Sequence, residues 1–171
     1  SGKGVLFKVL IGSFLDRGGR AVMVDHTEMG EYELFLRSVS KSVTASFSTP
    51  SWSLDPLRLF DPKRGCEIAM TILMPLLQIQ PDDRLGVVLA SVLDPNYLRE
   101  HQLLGGGLPA VLDHLLSEHC PAARVASDAV DLADKMGVYA RASFAGALFV
   151  RDLPPLDLTV PGICFRTNAL R

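Results

Sequence analysis

The chain has 171 residues, enough for one domain with a real core and too short for two comfortable ones. A hydrophobic content of 48% beside 21% charged residues excludes a disordered chain, and a formal charge of −2 gives no general basis for a nucleic-acid surface. No apolar run reaches the roughly 18–20 residues of a membrane helix, and the start of the chain lacks the pattern of a signal peptide.

In chain order, Val5, Leu6, Val9, Leu10 and Phe14 recur at helical spacing, and the pattern stops at Gly18-Gly19. "RAVMVD" follows, a continuous apolar run ending in an acid, which predicts a strand buried on both faces of a parallel sheet. "EYELFLRSV" predicts a second helix with acids in its first turn, where the helix dipole favours them. "VTASFS" alternates Val43, Ala45 and Phe47 against Thr44, Ser46 and Ser48, the two-residue period of a strand. Helix, strand, helix, strand is the order of an α/β sheet with crossover connections.

"TPSWSLDPLRLFDPKRG" reads as a proline-punctuated loop. From Gly65 to about Leu148 the pattern is helical, with helices expected near 65–79, 82–93, 108–118 and 126–136, separated by Pro81, "DPNY" and "LLGGGLP". The stretch around 143–150 suits either helix or strand, and Gly162–Thr167 returns to β character and is expected to rejoin the sheet.

Cys66, Cys120 and Cys164 lie far apart with no C-x-x-C pair, which fits reduced thiols of the cytosol. His114, His119 and Cys120 come nearest to a metal-ligand cluster, but the two histidines flank a leucine-rich helix end and read as surface residues, so no metal ligands are assigned.

The opening "SGKGVLFKVL" has the form in which a phosphate-binding loop ends. In G-x-x-x-x-G-K-[ST], loop N–H groups cradle the phosphates, the lysine reaches the β/γ oxygens and the hydroxyl holds Mg²⁺. Here Ser1, Gly2 and Lys3 match the end of that loop, and Gly4 stands where the hydroxyl belongs. Spacing alone fits a phosphate site and a glycine-rich terminus with a solvated lysine equally well. A dinucleotide fingerprint fits less well, because Phe7 falls at the third glycine position of G-x-G-x-x-G.

With "RGGRAVMVDHTEMGEYELFLRSV", this opening resembles the motor domain of the conjugation and type IV secretion ATPases of the HerA–FtsK superfamily, in their actinobacterial form. Asp25, Gly30, Glu31 and Tyr32 match the family's strand-end acid and its "GEY" helix start, and "SLDPLRLF" resembles its Asp-Pro-Leu landmark before a helical insert. "GALFVRDLPPLDLTVPGICFRTNAL" resembles the segment that leads back to the sheet.

The resemblance implies a RecA-like P-loop NTPase: a parallel α/β core contributed by residues 1–60 and 151–171, interrupted by an all-helical insert over 61–150. It implies ATP binding by Ser1, Gly2, Lys3, Gly4 and Val5, and catalytic roles for Asp25 and Glu31 in orienting water or Mg²⁺ near the γ-phosphate. Mg²⁺ binding is weakened by Gly4. Arg141, Arg151 and Arg166 are the candidates for a residue acting across a subunit boundary. Implied partners are like subunits forming a hexamer, membrane components of a transfer channel, and a DNA or protein substrate. The implied place is the cytoplasmic face of the membrane. The same comparison implies that this chain is part of a motor domain, lacking most of the P-loop and the acidic Walker B strand, and that it does not hydrolyse ATP by itself. A non-hydrolysing P-loop domain kept as an assembly module is the alternative.

Overall fold

The computed structural model describes residues 2–47, 49–117, 120–123, 125–142 and 145–167. The chain divides into two compact units, Ser1–Trp52 with Leu156–Arg171, and Ser53–Pro155.

The first unit is α/β. Helix α1 (Gly2–Asp16) turns at Gly18, which has φ +80, into strand β1 (Ala21–Asp25). Helix α2 (Glu31–Val39) leads to strand β2 (Ser42–Ser46), and strand β3 (Gly162–Arg166) completes the sheet. All pairings are parallel and the order is β1-β3-β2, so the last strand in sequence is the central one. The register aligns Val22, Ile163 and Val43 in one row, Met23, Cys164 and Thr44 in the next, and Asp25, Arg166 and Ser46 at the carboxyl edge. Because side chains alternate along a strand, the Met23 and Asp25 rows share one face. That face holds the unit's core, in which Leu15, Met23, Leu36 and Cys164 pack with Ile11, Tyr32 and Phe35.

One expectation is corrected here, and the helix expected at the start of the chain forms with a packing face of its own. β1 is buried on one face only, since Val22 and Val24 are exposed. A continuous apolar run cannot distinguish one covered face from two. In α1 the recurring residues Val5, Leu6, Val9, Leu10 and Phe14 are exposed, whereas the seam against the sheet is Ile11 and Leu15. This helix is apolar on more than one face, so its sequence does not mark which face packs.

The second unit is helical: α3 (Pro56–Leu59), α4 (Pro62–Leu77), α5 (Arg84–Val92), α6 (Pro95–Glu100), a 3₁₀ turn (Leu104–Gly106), α7 (Gly107–Leu115), α8 (Ala126–Ala140) and α9 (Gly146–Phe149). Leu73, Leu89, Leu98, Leu115, Leu132 and Met136 are fully buried in one core. Each such side chain contributes roughly 1.5–3 kcal/mol of burial. The stretch read as a proline-punctuated loop contains α3 and the start of α4, and "DPNY" opens α6. Each of the three Asp-Pro pairs starts a helix. Asp55, Asp61 and Asp94 accept first-turn N–H groups, and Pro56, Pro62 and Pro95 occupy positions where no N–H is needed. Proline here opens helices rather than breaking them.

Asp55 does more than cap its own helix. It is fully buried, and while Oδ1 accepts from Leu57 N at 2.9 Å, Oδ2 accepts from Leu108 N at 2.6 Å. One carboxylate thus ties the start of α3 to the start of α7. Gly107 has φ +64, and a Cβ there would stand 1.9 Å from Asp55 Oδ2. Burial pushes the Asp55 carboxyl up to about 6, against the two N–H bonds and nearby Arg58.

Candidate functional site

Asp25 ends β1 at the carboxyl edge of the parallel sheet, where ligand crevices form in open α/β folds. Its carboxylate is wholly buried and makes four hydrogen bonds. Oδ1 accepts from Thr27 N at 2.9 Å and Thr27 Oγ1 at 2.6 Å, and Oδ2 from Tyr32 N at 2.9 Å and Glu33 N at 3.3 Å. Burial raises the carboxyl's pKa, but the donors from Thr27, Tyr32 and Glu33 outweigh it and hold Asp25 below the usual carboxylate range. Gly30, the residue before α2, has φ 66 and ψ 42 and offers no side chain to cap the helix. The strand-end acid therefore caps the helix from a distance, and the D-x-x-x-x-G-E-Y pattern is a cap-and-turn device.

Glu31 is exposed and forms an ion pair with Lys8 at 3.6 Å. The Lys8 ammonium also lies 5.6 Å from the centre of the Tyr32 ring, and Phe7 meets that ring edge-on at 6.2 Å. These contacts set the second turn of α1 against the first turn of α2. Lys3 lies five residues before Lys8, about 7.5 Å along the helix axis, and is exposed. Lys3, Gly4 and Val5 form the first turn of α1, one turn before the Phe7 and Lys8 contacts with α2. Gly4 has nothing within 4 Å of where a Cβ would stand, and Val5 is exposed. Gly2 opens α1, and Ser1 lies outside the described residues.

Of the three arginines singled out from sequence, Arg141 follows α8. Arg151 pairs with Asp113 and donates to Pro109 O. Arg166 is engaged at the carboxyl edge: Nη1 meets Glu33 Oε2 at 3.3 Å and Nη2 donates to Glu28 O at 3.0 Å. Its neighbour Thr167 donates through N to Asp25 O at 3.0 Å, and Thr167 Oγ1 lies 2.5 Å from His26 Nδ1, so His26 stays at this edge as an exposed residue.

Beside Arg166 lies a cavity of about 260 Å³ lined by polar residues, with Glu33 and Arg37 from α2 and Thr44 from β2. It follows from the strand alternation in "VTASFS", which turns Thr44 and Ser46 to the face opposite Val43 and Ala45. The cavity was not foreseen from sequence, because its arginines come from separate segments and only the sheet register unites them.

In the helical unit, His114 Nε2 lies 2.7 Å from Tyr97 Oη, and burial and then the neighbouring His101 lower the pKa of His114. His119 lies outside the described residues. Among the described residues, no three His, Cys, Asp or Glu side chains are placed to hold a metal ion, and no helix is long and apolar enough to cross a membrane. All three cysteines are free thiols, and burial pushes Cys66 and Cys164 up to about 11.

No known protein family, no curated protein and no solved structure matches the chain.

Proposed function

We propose that this chain contributes the nucleotide-binding part of a RecA-like P-loop motor of the conjugation and type IV secretion type. Its ATP would drive macromolecule transfer or assembly of the channel. The observation that supports this reading is the Lys8–Glu31 ion pair, which sets α1, the helix whose first turn carries Lys3, against the Asp25-capped start of α2 at the carboxyl edge of a parallel sheet. A helix N-terminus there presents unpaired N–H groups and partial positive charge to a phosphate. Lys3 is the phosphate contact, with the N–H groups of Gly4 and Val5 beside it. Asp25 acts as the positioning residue that fixes α2, and Glu31 is the acid left at the edge to orient water. In this reading the motor works as a hexamer of like subunits on the cytoplasmic face of the membrane, against channel components, on a DNA or protein substrate.

The second reading is a non-hydrolysing P-loop module for assembly. Gly4 favours it, since the Mg²⁺-holding hydroxyl is missing from that position.

Titration with a fluorescent ATP analogue, with and without Mg²⁺, tests both readings. The motor reading expects saturable binding that Lys3→Ala weakens by roughly tenfold or more. It also expects Gly4→Ser, for which there is open space, to restore Mg²⁺ dependence. Binding that ignores Mg²⁺ even in Gly4→Ser selects the module. A chain that binds no ATP sinks both.

A further inference from the structure

We infer that the cavity between α2 and the carboxyl ends of β2 and β3 is a binding site for a phosphate-type oxyanion, whether free phosphate or a small phosphate monoester. This goes beyond the nucleotide reading and does not depend on it. The reasoning begins with the register: Arg166 and Ser46 stand in one row of the sheet, and Thr44 stands two rows back, on the same face. Opposite them α2 turns Glu33 and Arg37, one helical turn apart, toward the same space. Thr49 and Ser51, from the segment after β2, close the rim.

The donor inventory suits a tetrahedral anion better than a planar one. Two guanidinium groups and a set of hydroxyls surround about 260 Å³, ample for a phosphate together with a small ester group or water. A carboxylate has two oxygens for these donors, and a phosphate has three or four. Arg166 is already oriented: Nη2 is fixed on Glu28 O and Nη1 on Glu33, while Nε is buried with no hydrogen-bond partner among the described residues. A buried, charged N–H without a partner is costly, and it marks Arg166 as a guanidinium with donor capacity still unspent beside the cavity.

Glu33 makes the site conditional. Its two oxygens bridge the arginines, Oε1 at 2.7 Å from Arg37 and Oε2 at 3.3 Å from Arg166. It is an internal competitor holding the place of an anion between them. An incoming dianion must therefore displace or share with Glu33, and removal of the Glu33 charge should strengthen binding.

The test follows the arginine Nε–H signals by NMR during titration of the full chain with inorganic phosphate, glycerol 3-phosphate and acetate. The expected result is a saturable shift of the Arg166 and Arg37 signals with either phosphate probe and a far weaker response to acetate. The tighter of the two phosphate probes identifies the source as free or esterified anion. Glu33→Gln should bind phosphate roughly tenfold more tightly, and Arg37→Gln roughly tenfold more weakly. Arg37 is largely exposed, so this variant keeps the fold even if Arg166→Gln does not. Shifts confined to α1, an equal response to acetate, or Glu33→Gln binding no better than wild type would each overturn the proposal.

Discussion

Asp25 Oδ2 lies 2.9 Å from the backbone nitrogen of Tyr32, so the last residue of one strand caps the helix that follows it across a five-residue turn. Helix α2 has no side-chain cap at Gly30 and depends on this reach. Asp25→Asn keeps one acceptor oxygen and turns an NH₂ group toward the remaining donors. The variant should lose about 1–3 kcal/mol, read by urea denaturation. Because the folded pKa of Asp25 is depressed, its stabilisation is present above the unfolded value of 3.8 and disappears as the pH falls through the folded value. Wild type should therefore be acid-sensitive below pH 3.8, and Asp25→Asn should lack that component.

Gly30 tests the turn itself. At φ +66 an alanine would pay about 1–2 kcal/mol of backbone strain, and its Cβ would stand 3.2 Å from Glu33 Oε2 and 3.4 Å from Arg166 Cζ. Gly30→Ala should thus lower the melting temperature and shift the Arg166 side-chain signals together. A change in stability with no movement at Arg166 would contradict this geometry.

Asp55 gives the opposite pH signature. Its folded pKa, about 6, lies above the unfolded 3.8, so its contribution is fully present below pH 3.8 and is lost as the pH rises through 6. The difference corresponds to about 3 kcal/mol. Unfolding free energies measured between pH 4 and 6.5 should show this decline, and Asp55→Asn, which does not titrate, should remove it.

Two helix-interior glycines should respond in opposite directions to alanine. Gly12 in α1 has nothing within 4 Å of a new Cβ, and Gly12→Ala should stabilise by about 0.5–1 kcal/mol through helix propensity. At Gly86 in α5 the new Cβ would stand 1.9 Å from Gln80 O, and Gly86→Ala should destabilise despite the same propensity gain. Thermal unfolding of the two variants settles both signs.

The alternation of helix and strand in the first forty-six residues was legible because the periods change cleanly, and the helical middle was legible for the same reason. What escaped was set by contacts rather than pattern. The Asp-Pro pairs read as loop because proline was weighed as a breaker, although Asp55, Asp61 and Asp94 place it at the one turn where a missing N–H costs nothing. Asp25 was legible as an important strand-end acid, but its four donors belong to the turn and helix that fold around it, and no spacing rule reveals them. The oxyanion cavity needs Arg37 and Arg166 on one face, which only the position of β3 between β1 and β2 provides.

That central position of β3 also dictates a sequence of events. β1 and β2 share no ladder, and each waits for a partner that emerges only after the whole helical unit. A sheet closed by such distant segments is slow to form, whereas neighbouring helices find each other quickly. The helical unit should thus be protected from hydrogen exchange first during refolding, with β1, β2 and β3 gaining protection later and together. On the ribosome, the interval before β3 appears is when the apolar strand "AVMVD" and the alternating strand "SVTAS" stand unpaired and most open to aggregation.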